Sequence, residues 1–139
     1  MTRSLLVAGV LALTSACVIE VDDDGPRPNL PPTVVAPLAQ CWWAGADGYV
    51  WAFDAFAQDP DGAWDVTEVW ADVYDVRNGD RYIDSYPLQR TAEADRWYSD
   101  WYGWSMPLDC RYDGYVVDVV AYDSTGSFDL FTVIPARSP

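Results

Sequence analysis

The sequence predicts an all-β fold, a β-sandwich of about seven antiparallel strands, from three observations. Apolar and aromatic residues alternate with a period of two in several short runs. Turn residues break those runs at intervals of roughly 8 to 15 positions. No window carries helical periodicity with caps, and Thr91 to Asp95 is at most one turn. The clearest run is 49–57, where Tyr49, Trp51, Phe53, Ala55 and Ala57 share one side. Asp59-Pro60-Asp61-Gly62 stops it, since Pro removes a ladder donor and Gly supplies a turn. The design returns at Tyr115, Val117, Val119 and Ala121, stopped by Asp123-Ser124-Thr125-Gly126.

In chain order, Met1-Thr2-Arg3-Ser4 is a short n-region with one positive charge, and Leu5 to Leu13 is an apolar h-region too short to span a bilayer. Thr14-Ser15-Ala16-Cys17 then resembles a bacterial lipobox, with Thr14 where Leu is usual. The resemblance implies cleavage after Ala16 and a lipid on Cys17, and an ordinary signal peptide cut at the same place is the alternative; either route exports the chain. Residues 1–16 are thus read as signal peptide and 17–33 as a lipidated, acidic, Pro-rich linker. Glu20, Asp22, Asp23 and Asp24, with Pro26, Pro28, Pro31 and Pro32, leave little to pack, so the linker is expected to stay extended as a spacer. Val18 beside the anchor is not the Asp that resembles an inner-membrane retention signal, which points to the outer membrane if the source has two.

Three cysteines are awkward for an exported chain. Lipid on Cys17 leaves Cys41 and Cys110 as one pair, and an oxidising compartment lets their disulfide persist.

The domain is expected over 34–139, with strands near 34–39, 48–57, 66–76, 81–88, 96–104, 113–122 and 127–134. In the third, Val69, Ala71 and Val73 point one way and Glu68, Trp70, Asp72 and Tyr74 the other. Asn78-Gly79 marks the hairpin after it. Arg96 to Trp104 leaves large aromatics on both sides, and is read as packing the core and shielding an edge. Tyr115 is placed for a tyrosine-corner bond to upstream backbone. Seven short strands with such turns suggest an immunoglobulin-like sandwich.

Composition removes most chemistry. The 139 residues carry 22 acidic side chains against 8 basic ones, all Arg, for a net charge of −14. Such a surface repels nucleic acid and anionic lipid. Without His there is no Ser-His-Asp triad, Cys-His pair or His-based zinc site, and without Lys no Schiff base or P-loop. Only paired carboxylates remain for acid–base work, and Asp72 with Asp118 is the one pairing that adjacent strands allow. The chain reads as a non-enzyme.

Asp59-Pro60-Asp61-Gly62 after the second strand and Ala121 to Gly126 after the sixth resemble bacterial immunoglobulin-like domains, the group that includes PKD-like, cadherin-like and fibronectin-III-like modules. That resemblance covers about 34–135 and implies a spacer, adhesive or ligand-presenting role without catalysis. Two binding surfaces are candidates. Asp59, Asp61 and Asp123, with Asp65 just beyond, sit at one end of the expected sandwich, where oxygen ligands suit calcium; the alternative is that they only cap turns. Trp70, Tyr74 and Tyr122 face outward with carboxylates beside them, a surface for stacking sugar rings or docking a protein; the alternative is that it is covered. No other cofactor is expected.

Overall fold

The computed structural model describes residues 28–138, so the signal segment, Cys17 and the acidic part of the linker lie outside the described residues. Every expected strand is present: β1 (Thr33–Trp43), β2 (Tyr49–Gln58), β3 (Val66–Asp75), β4 (Arg81–Arg90), β5 (Arg96–Tyr102), β6 (Tyr115–Asp123) and β7 (Phe128–Val133). An eighth, β8 (Ala136–Ser138), follows them. Three single 3-10 turns, Gly45–Asp47, Val76–Asn78 and Gly103–Ser105, complete the elements, and no α-helix occurs among the described residues. None of them therefore crosses a membrane as a helix.

The strands form one mixed, curled sheet in the order β7-β6-β3-β4-β5-β2-β1-β8. The expectation of seven antiparallel strands is corrected at the C-terminus, where β8 runs parallel to β1 and pairs Gln40, Cys41 and Trp42 with Ala136, Arg137 and Ser138. Three residues after Pro135 are too few to show a period of two, so no alternation marks them.

Two irregularities curl the sheet. β4 pairs with β3 along most of its length, and only Gln89 and Arg90 continue onto β5, at Tyr98 and Trp97. So narrow a join lets the inner face of β5-β2-β1 turn toward that of β4-β3-β6. The second is in β1, where Ala36 adopts φ 47° and the register slips between Val35 and Leu38. Pro37 sits inside that bend, where no ladder donor is needed. Val34 is thereby carried to β7, and its N–H donates to Asp129 Oδ2 at 2.8 Å.

The interior follows the alternation. Trp51, Phe53, Ala55 and Ala57 of β2 are fully buried, as are Val73, Val117 and Val119, while Trp70, Tyr74 and Tyr122 lie outward and half-buried. Phe53 stacks on Tyr86 at 5.6 Å, and Trp51 meets Tyr115 edge-on at 6.0 Å. The 96–104 stretch divides: Trp97 and Trp101 turn inward, whereas Trp104 stands 82% exposed in the turn after β5. Tyr115 accepts a hydrogen bond from the Asp109 N–H at 3.4 Å, the upstream backbone contact expected of it. The linker's last residues lie against the domain, because Pro32 is fully buried and Leu30 N–H donates to Asp61 Oδ2 at 2.8 Å.

Cys41 and Cys110 form a disulfide, with Cα atoms 5.8 Å apart across 69 residues of sequence. The double variant Cys41→Ala/Cys110→Ala should lose about 4 kcal/mol of stability from the unlinked unfolded chain. That loss reads as a fall in Tm of at least about 10 °C by calorimetry.

Candidate functional site

The acidic end of the domain is built by two turns and one strand start. β2 runs out at Gln58, and Asp59 folds the next turn by accepting the Asp61 N–H on Oδ1 at 2.7 Å, with Gly62 at φ 130° closing it. β6 ends at Asp123, whose Oδ1 accepts the N–H groups of Thr125 and Ser127, each at 2.8 Å, and the Thr125 hydroxyl at 2.9 Å. Asp65 immediately precedes β3 and accepts the Ser124 hydroxyl. Because Val66 pairs with Asp123, the register sets Asp65 beside that turn.

Asp59, Asp65 and Asp123 thus offer carboxylate oxygens within 4.8 Å of one another. Asp61, expected among them from the sequence, turns instead to the Leu30 N–H, and Asp65 takes its place. Asp59 and Asp123 do cap their turns, yet Asp59 Oδ2 is buried and has no hydrogen-bond donor among the described residues. No Arg forms an ion pair with any of the three among those residues. Like charges so close repel, and a buried carboxylate oxygen without a donor is costly. A hard cation would remove both costs. Calcium takes oxygen ligands at about 2.3–2.6 Å, so oxygens around one ion are no more than about 5 Å apart, which this spacing satisfies.

Asn29 closes the site from the N-terminal side. Its Nδ2 donates to Asp123 Oδ2 at 2.6 Å and to Thr125 Oγ1 at 3.0 Å. Burial would raise the Asp123 carboxyl, but the bonds from Asn29, Thr125 and Ser127 outweigh it and hold the group down to about 2.

The outward face of β3 carries the second candidate. Trp70 and Tyr122 share an open groove of about 420 Å³ with Glu68, Asp72 and Ser85. Trp70 donates its indole N–H to Glu68 Oε2 at 2.9 Å, and the Ser85 hydroxyl donates to Asp72 Oδ1. Tyr74 lies on the same face, packed edge-on against Tyr82 at 5.7 Å. Burial, then the Asp72 and Asp118 carboxylates, push its phenol above the ordinary value. Asp72 and Asp118 are cross-strand neighbours, as the sequence suggested, and Asp118 accepts the Thr132 hydroxyl at 2.5 Å.

A third feature had no counterpart in the sequence reading. At the opposite end of β2, Trp43, Tyr49, Trp104, Asp47, Asp109 and Arg111 line an open cleft of about 480 Å³. A usable signal existed: two Trp residues lie next to glycine turns, one of them two positions from a cysteine.

The depressed Asp123 carboxyl fixes a pH response. A group that titrates lower when folded stabilises the fold above its ordinary value of 3.8, and that contribution disappears as pH falls toward about 2. Thermal melts should therefore drop steeply between pH about 4 and 2, with a shallower drop in Asp123→Asn. Compared with known proteins, the chain matches no family model, no curated protein and no solved structure.

Proposed function

We propose that this chain is an exported, lipid-anchored immunoglobulin-like β-sandwich of the cell envelope with a non-catalytic binding role, steadied by calcium at its anchored end. Asp59, Asp65 and Asp123 hold the ion in this reading. The observation that carries it is the buried Asp59 Oδ2, donorless beside two further carboxylates. Export and lipidation rest on the residues before and at Cys17, and the sandwich on two inner faces meeting through Phe53–Tyr86 and Trp51–Tyr115. The disulfide suits an oxidising compartment. Absence of His and Lys supports a role without catalysis.

Calcium also fits the linker. Asn29 and Leu30 hydrogen-bond to Asp123 and Asp61, next to the proposed ion, so order at the site and order at the base of the tether come together. A site with Kd of about 10 µM would gain about 2.7 kcal/mol in 1 mM Ca²⁺. The expected rise in Tm over a chelated sample is about 10 °C. It should vanish in Asp59→Asn and survive in Asp61→Asn, whose carboxylate faces away. An unchanged melt in Ca²⁺ sinks this reading.

A second reading, carbohydrate binding on the β3 face, is favoured by the groove that joins Trp70 and Tyr122 to Glu68 and Asp72. There, Trp70→Ala should abolish glycan-array signals of the soluble domain without lowering its Tm by more than about 5 °C.

A further inference from the structure

The cleft at the disulfide end asks for an occupant. Large side chains normally leave water when a core is available, and this chain has one. Yet Trp104 is 82% and Trp43 54% exposed, on either side of one opening. Neither ring is loose. Trp104 lies nearly parallel to Tyr102 with ring centres 6.0 Å apart, and most of its surface stays open to water. Trp43 meets Tyr49 edge-on at 5.0 Å. Gly103 lets the Trp104 turn rest on the cleft wall: a Cβ there would come within 3.2 Å of the Tyr49 carbonyl oxygen.

The polar side of the cleft is equally fixed. Arg111 donates from Nε and Nη2 to the two oxygens of Asp109, each at 3.1 Å, while the Arg111 N–H donates to Asp109 Oδ1 at 2.9 Å. This fork holds guanidinium and carboxylate flat and outward. Asp47 adds a second carboxylate. The disulfide joins the two walls, since Cys41 lies two residues before Trp43 and Cys110 stands between Asp109 and Arg111.

We infer that this cleft is a saccharide-binding site, in which Trp104 and Trp43 take the apolar faces of sugar rings and Asp47, Asp109 and Arg111 bond their hydroxyls. A pyranose presents an apolar face of C–H groups and a rim of hydroxyls, and the cleft offers flat aromatic faces beside planar donors and acceptors. Its volume, about 480 Å³, lies within the range of built ligand sites. Two carboxylates against one guanidinium, on a chain of net charge −14, select a neutral sugar over a polyanion.

The inference deepens the non-catalytic binding role and rests on it, while placing the ligand away from the β3 face. Calorimetric titration of the soluble, disulfide-intact domain with cellohexaose, N-acetylchitohexaose and mannohexaose tests it. At least one should bind, and affinity should fall tenfold or more in both Trp104→Ala and Arg111→Gln. Trp104 is exposed enough for its variant to keep the parent Tm. Binding lost in Trp70→Ala but kept in Trp104→Ala overturns the cleft and leaves a binding role standing. No binding of any of the three overturns the saccharide assignment, whatever calcium does to the melt.

Discussion

The inner face of β2 is the constraint on which the other elements depend. Trp51 and Phe53 are completely excluded from water, and neither could be so by its own half of the sheet. Trp51 needs Tyr115 at the start of β6, and Phe53 needs Tyr86 midway along β4. Burying two such rings is worth several kcal/mol, enough to decide how far the sheet curls. The slender β4–β5 join and the bend at Ala36 follow from that demand: a flat eight-stranded sheet would leave both rings in water.

Charge sets the second constraint. With no Lys to spread positive charge, Arg77, Arg90, Arg96 and Arg111 are committed in specific places. Arg90 lies between Trp97 and Trp64, 4.6 and 5.0 Å from the ring centres, and donates to the Ala63 carbonyl at 2.7 Å. That contact explains an otherwise stranded Trp64, 86% exposed beside the acidic turn. Arg96 is bound to Asp54, with Nη2 donating at 2.6 Å, and hydrogen bonding there raises its already high pKa further. None of these guanidinium groups reaches Asp59, Asp65 or Asp123 as an ion pair. The acidic end thus gathers three carboxylates without an ion pair to a cation of the chain's own among the described residues.

Much of this was legible from a period of two. Alternation in 49–57, 69–73 and 115–121 marks the strands and their inner faces, although β2 and β6 also bury Val50, Ala52 and Val120 on the other side. It also put Trp70, Tyr74 and Tyr122 outside, and three cysteines with one lipidation motif singled out the observed disulfide. What escaped depends on geometry that no local pattern carries. β8 is held by β1 rather than by its own alternation. Asp65 displaces Asp61 because pairing of Val66 with Asp123 fixes which carboxylate arrives beside the turn. Parity groups Trp104 with Tyr98 and Tyr102, opposite Trp97 and Trp101, but β5 ends at Tyr102, so alternation does not say that Trp104 stands exposed in a turn.

These two ends belong to one design once β2 is used as a ruler. Its ten residues run from Tyr49, in the wall of the aromatic cleft, to Gln58, next to Asp59. At about 3.3 Å per residue they separate the two sites by roughly 30 Å. Asn29 and Leu30 hold the incoming linker at the carboxylate end, so any anchor upstream of them attaches there. A domain tied down at that end presents the other to its surroundings, and the other end is where Trp43 and Trp104 stand exposed over a disulfide. In the proposed lipid-anchored form, repulsion between the acidic residues before Asn29 and an anionic bilayer would act in the same direction, holding the carboxylate end off the membrane and the cleft farther still. The continuous β2 strand between them would carry that orientation from the proposed tether to the proposed binding cleft.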